Sequence, residues 1–145
     1  MDNAERAEKI YLFERDEKWI EALEKTFEPW HGKIGIINKY VSDINNDSNV
    51  TLDKFFANSR LNVVKADIEG MEIKLLEGGR ELIKREGSLK LLLCAYHGKN
   101  DAETLKNMLE NNGYKTQYSK GYMLYIYDQK FEEPFIRRGI IFAKK

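Results

Sequence analysis

The sequence predicts an α/β fold, a mostly parallel sheet covered by helices with a hairpin-like pair of strands at one edge. Three observations predict it. Apolar, β-rich runs alternate with amphipathic helical runs from Ile10 to Gly113. The run "LKLLLCAYH" is apolar without alternation, the mark of a strand buried on both faces of a parallel sheet. The last two β-rich runs, "YKTQYSKGYMLYIYD" and "FIRRGIIFAKK", follow each other with no helix between, so they are expected to pair antiparallel.

In chain order, "KIYLFE" is the first strand. "RDEKWIEALEKTFEP" is a helix with Trp19, Ile20, Leu23 and Phe27 on one face, Asp16 as its N-cap and Pro29 closing it. "KIGIINKYVS" is the second strand, and "DINNDSN" after it is turn chemistry. "VTLDKFFANSRL" offers a short amphipathic piece. "NVVKADIE" is the third strand, followed by a helix that puts Leu75, Leu82 and Ile83 on one side and is broken or bent at Gly78 and Gly79. "SLKLLLCAYH" is the buried central strand. "NDAETLKNMLENNG" is the clearest helix, with Asn100 as cap, Glu103 three residues on, an Ala102, Leu105, Met108, Leu109 stripe and Gly113 as stop. No repeat or linker interrupts the series.

The 145 residues make a single domain, 1–145. The 24 basic and 24 acidic residues cancel, so no basic surface for nucleic acid is expected. Cys94 is the only cysteine, which excludes an intrachain disulfide and a cysteine-built zinc site; a reducing, cytoplasmic setting fits best. No apolar run approaches the roughly 20 residues that span a bilayer, and "MDNAERAEK" is charged rather than signal-like, so no membrane is expected.

Ligands of such sheets bind beyond the carboxyl ends of the strands. Glu14 ends "YLFE", Asp67 and Glu69 end "VVKADIE", and His97 ends "LLLCAYH". An acid at the end of an early strand can accept ribose hydroxyls of a nucleotide cofactor; a solvated carboxylate is the plain alternative for Glu14. Residues 67 and 69 are expected on one face of an extended strand. Glu72 falls in the first helical turn, where the helix dipole favours any acid. Gly70 supplies the sharp turn between strand and helix, or a close approach of backbone to ligand. His97 has the chemistry of a general base, or of a metal ligand with Asp67, although a lone histidine is more often neither and no metal site is assigned.

Taken together, "YLFERDEKWIEALEKTF", "INKYVSD", "TLDKFF" and "NVVKADIEGMEIKLLEGG" resemble the FkbM-type methyltransferase family in order and spacing, from about Ile10 to Tyr96. The resemblance implies a Rossmann-like sheet with helices on both faces, S-adenosylmethionine as cofactor, and transfer of its methyl group to an oxygen of a sugar or other small metabolite. Glu14 then matches the acid that holds the cofactor ribose, and Ser42 and Asp43 sit where adenine is contacted. Asp67, Glu69, Gly70 and Glu72 match the acidic signature beside the methyl-transfer site, which implies Asp67, Glu69 and His97 as catalytic residues and Asp67 and Gly70 as further contacts to the cofactor. Asp67 or His97 serves as base, with Asp67 preferred.

The sequence departs from the family at Arg15, usually proline, and Met71, usually alanine. Family members also carry a strand, a glycine-rich turn and a helix ahead of the ribose acid. Only nine residues precede Ile10 here and none is glycine, so that first strand and helix are expected to be missing and the domain truncated. Two strands are then left with facing unpaired edges, which pair with each other or take a strand from a second copy or a further segment. Two rival readings stay open: a non-catalytic remnant that dimerises or binds a partner, and a nucleotide-binding domain of another class.

Overall fold

A computed structural model of the chain describes residues 5–124 and 133–145. The α/β alternation is as expected. Strand β1 is Ile10–Phe13 and helix α1 is Glu17–Phe27, with Asp16 accepting from Lys18 N at 2.9 Å as its cap. Pro29 does not end α1 directly: it sits in a 3₁₀ turn, Glu28–Trp30, that carries the chain off the helix. α1 lies against β2, Ile34–Ile37, with Ile20, Leu23 and Phe27 half-buried. Trp19, expected on that face, is 64% exposed.

The second β-rich run divides. After β2 the chain turns at Asn38 and Lys39, then forms β3, Tyr40–Val41, which pairs in parallel with an unforeseen two-residue strand β4, Asn49–Val50. Helix α2, Leu52–Phe55, starts on the Thr51 hydroxyl, which accepts from Lys54 N at 3.2 Å. β5 is Val63–Ala66. The next helical stretch breaks at Gly79 into α3, Glu72–Gly78, and α4, Arg80–Arg85.

The restart of α4 has a remote cause. Gly79 brings no capping side chain, and Asp53 of α2 supplies one, accepting from Glu81 N at 3.1 Å and Leu82 N at 2.8 Å. Two orphan N–H groups of the new helix are thereby satisfied.

β6 is Lys90–Cys94, α5 is Asp101–Asn111 and β7 is Lys115–Tyr118. Asn100 makes no side-chain cap to α5: the neighbouring Asp101 carboxylate folds back instead onto Gly98 N. A short pair, β8 (Met123–Leu124) with β9 (Ile136–Arg137), precedes the last strand, β10, Ile140–Lys144. The rest of the "YMLYIYD" run, Tyr125 to Asp128, lies outside the described residues.

The main sheet has the order β5-β6-β10-β7. β5 and β6 are parallel, and β10 runs antiparallel to both β6 and β7, so three of the four strands point one way and β7 with β10 is the antiparallel edge pair. β1 and β2 form a separate parallel sheet. Among the described residues neither β1 nor β5 pairs with a second strand.

The core lies where α3, α4 and α5 meet the main sheet: Leu82, Leu91, Leu93, Leu105, Leu109 and Ile141 are each at most 1% exposed. Each such side chain contributes roughly 1.5–3 kcal/mol relative to exposure. The core fixes the carboxyl ends of β5 and β6, and these carry the site. No described helix is long and apolar enough to cross a membrane.

Candidate functional site

Because β5 and β6 run parallel with Ala66 opposite Leu93, the residues just past them emerge at one edge of the sheet. Asp67 follows β5 directly, and His97 stands three residues beyond β6. The strand stops at Ala66, so Glu69 is not on an extended face with Asp67. Instead Glu69 and Gly70 take φ of 53° and 89° and swing the chain into α3, with Met71 N donating to Ile68 O at 3.1 Å. A left-handed conformation is natural for Gly70 and strained for a glutamate. At Gly70 the conformation, rather than space, requires glycine, since a Cβ would meet His97 Cβ at an ordinary 3.4 Å.

Glu72 opens α3 and is 1% exposed. Its Oε1 accepts from Ile68 N at 2.9 Å, closing the turn, and lies 3.4 Å from His97 Nδ1. Its Oε2 is buried with no hydrogen-bond partner among the described residues. The imidazole, 6% exposed, turns its other nitrogen, Nε2, toward Asp67 Oδ1 at 3.5 Å and Glu69 Oε2 at 3.7 Å. The acidic signature and His97 thus form one cluster, buried on the Glu72 side and open to solvent on the Asp67 and Glu69 side.

Two residues that sequence reasoning passed over hold this cluster. Tyr96 donates its hydroxyl to Asp67 Oδ1 at 2.9 Å. Burial, aided by the Asp67 carboxylate, pushes the Tyr96 phenol far above its usual range, so it remains a donor. Arg137 donates through Nη1 to the carbonyls of Tyr96 and His97, at 2.8 and 2.7 Å, and so pins the backbone that presents the imidazole. The only sequence signal for Arg137 is an arginine preceding the apolar run "GIIFA". Below the cluster, burial and then the Asp67 hydrogen bond push the Cys94 thiol up to about 11, which keeps it an inert, protonated filler.

The other sequence-assigned residues stand at the ends of other strands. Glu14 follows β1, and its Oε1 accepts from Arg15 N and Asp16 N at 2.6 and 2.8 Å, which leaves Oε2 to accept from a ligand. Ser42 is 1% exposed and its hydroxyl accepts from Ile44 N at 3.3 Å within its own turn. Asp43 is half-buried and pairs with Lys74 at 3.4 Å. Chemically, the Asp67 edge can take up a proton or bind a cation, and Glu14 can accept from hydroxyls.

A family model described as Methyltransferase FkbM domain matches residues 11–116. Among solved structures, the chain superposes on methyltransferase FkbM from Methylobacillus flagellatus KT with a TM-score of 0.71 at 19% identity, over 94% of this chain and 36% of that one. An rRNA methylase from Streptococcus thermophilus gives a TM-score of 0.60 at 16% identity, over 99% and 76% of the two chains. Precorrin-6y C5,15-methyltransferase from Geobacter metallireducens GS-15 gives 0.58 at 13%, over 94% and 67%. At such identities the superpositions establish the fold alone, and this chain spans 36% of the length of the FkbM structure. No curated protein matches the chain. The family model covers well over half of the sequence, including both the Glu14 strand and the whole acidic cluster, and the chain therefore belongs to the FkbM methyltransferase family.

Proposed function

We propose that this chain carries the cofactor-ribose and acceptor sides of an S-adenosylmethionine-dependent methyltransferase that methylates a hydroxyl oxygen of a sugar or other small metabolite. The observation that carries the reading is the cluster of Asp67, Glu69, Glu72 and His97 at the shared carboxyl edge of β5 and β6, inside the segment that matches the family. S-adenosylmethionine, when bound, supplies the methyl group as an electrophile.

Glu14 fits the ribose, because one carboxylate oxygen is fixed by backbone N–H groups and Oε2 faces no described donor. Asp43 reaches toward the adenine end, with Ser42 supporting it from within the turn. Asp67 takes the proton that the acceptor hydroxyl gives up, and Tyr96, as its donor, holds the carboxylate in place. Gly70 allows the turn that brings these acids beside His97. Acceptors of this kind need neither a basic groove nor a membrane, and a reducing cytoplasm suits the free Cys94 thiol.

The same reading seats one more strand between β1 and β5, whose outer edges have no described strand partner. A further segment of polypeptide or a second copy of the chain supplies it, and gel filtration distinguishes the two.

The test is to titrate the chain with S-adenosylmethionine and S-adenosylhomocysteine, reading heat of binding and thermal midpoint together. Saturating ligand at about 100 times its Kd adds about 2.7 kcal/mol and raises the midpoint by several degrees. Binding that Glu14→Gln weakens and Asp67→Asn spares supports the assignment, to be followed by a screen of hydroxyl acceptors. Absence of binding at millimolar ligand rejects it.

A further inference from the structure

The geometry points to a divalent-cation site formed by Asp67, Glu72 and His97. A carboxylate oxygen from each acid and one ring nitrogen of the histidine lie within 4.8 Å of one another. One contact, 3.4 Å from Glu72 Oε1 to His97 Nδ1, is close to the separation of neighbouring ligands around one metal ion, while Asp67 Oδ1 stands 3.5 Å from the other ring nitrogen, Nε2, and joins the set within the wider 4.8 Å limit. Ligand atoms about 2.1 Å from a shared cation stand roughly 3 to 3.5 Å apart.

A second observation is independent of this spacing. Glu72 is 1% exposed, and its Oε2 is buried with no hydrogen-bond partner among the described residues. A buried carboxylate in that condition calls for a positive charge beside it. No lysine or arginine among the described residues forms an ion pair with Glu72. The two carboxylates carry a net charge that a divalent cation balances.

The donor set is two oxygens and one nitrogen, which suits Mn²⁺ or Zn²⁺ and disfavours ions that select thiolates. His97 gives the cation Nδ1, on the Glu72 side, and keeps Nε2 for the Glu69 carboxylate 3.7 Å away, as metal-bound histidines commonly do. Asp67, with its side chain 45% exposed, leaves coordination positions open to solvent. An oxygen ligand placed there, such as an acceptor hydroxyl, loses its proton more readily. Cation binding itself does not depend on methyl transfer.

The experiment is to strip the 145-residue chain with a chelator and titrate it with MnCl₂, following calorimetry and the loss of the free Mn²⁺ paramagnetic signal, then to repeat it with ZnCl₂. One saturable site is expected. Asp67→Asn and Glu72→Gln should each weaken it by roughly tenfold or more. Glu81→Gln, on an exposed side chain of α4, should leave it unchanged. Asp67 is a surface position, so its variant separates ligand loss from misfolding, checked by an unchanged thermal midpoint without metal. Lack of saturable binding of either ion at millimolar concentration overturns the proposal, and so does binding that both variants retain. No S-adenosylmethionine enters the assay, so this result and that of the cofactor titration fail or succeed separately.

Discussion

A Cβ placed on Gly78 would fall 2.0 Å from the carbonyl oxygen of Ser42. The last residue of α3 thus touches the backbone of the turn after β3, and this contact joins the segment that carries Asp43 to the one that carries Glu72. Any side chain at 78 must push the two apart, and the opposing atom is backbone, which gives little. Gly78→Ala should therefore destabilise the fold by about 1–3 kcal/mol, or more, despite alanine's better helix propensity. Chemical denaturation of the variant checks this; equal or greater stability would mean that the two segments separate freely.

Asp53 caps a helix to which it does not belong. Asp53→Ala leaves the N–H groups of Glu81 and Leu82 without their acceptor and should lower stability by about 0.5–2 kcal/mol. Asp53→Asn keeps one carbonyl oxygen and should lose less. Hydrogen exchange should show the loss concentrated at the first turn of α4.

Glu69 is the one described non-glycine residue at positive φ. Relief of that conformation by Glu69→Gly is worth roughly 1–2 kcal/mol, and the added freedom of the unfolded chain takes back about 0.5–1. A net gain below about 1 kcal/mol is expected, visible as a small rise in melting temperature. A loss would show that the Glu69 carboxylate contributes more through His97 than its backbone gives up.

Tyr114 is buried and donates its hydroxyl to Ile83 O at 3.1 Å; burial, followed by the Glu86 charge, raises its pKa from 10.0. A raised pKa means that the folded chain holds the phenolic proton after the unfolded chain has released it. The stabilisation is complete below pH 10 and is lost as pH climbs through the raised folded value. Tyr118 shifts in the same direction. Urea midpoints should be flat up to about pH 9.5 and fall above it. Tyr114→Phe should be less stable by about 1 kcal/mol at neutral pH and should show a shallower alkaline decline.

Where the structure follows the sequence, the signal was local. The Leu105 and Leu109 stripe of α5, the unbroken apolar run of β6 and the double glycine between α3 and α4 each declare themselves within a few residues, because periodicity and glycine act on the chain nearby. What escaped depends on distant partners. Asp53 reads as a helix-surface acid until Gly79 is seen to lack a cap, and Arg137 as a solvated base until the carbonyls of Tyr96 and His97 arrive beside it. Glu72 was legible as a first-turn acid and as part of the family's acidic signature, but its burial was not, since nothing in its neighbours reveals it. Even Asn100 misleads, because the residue after it competes for the same turn.

The position of β10 sets an order of events during synthesis. It lies between β6 and β7, with Ile141 opposite both Leu93 and Tyr118, although it follows both strands in the chain. A nascent polypeptide that has cleared the ribosome only through Tyr118 exposes β6 and β7 with the place between them vacant, each offering an unsatisfied edge. Such edges are what chaperones bind and aggregates recruit. Folding of this sheet is therefore completed from the inside and late, when residues 140–144 emerge and slide between strands that have been waiting for them.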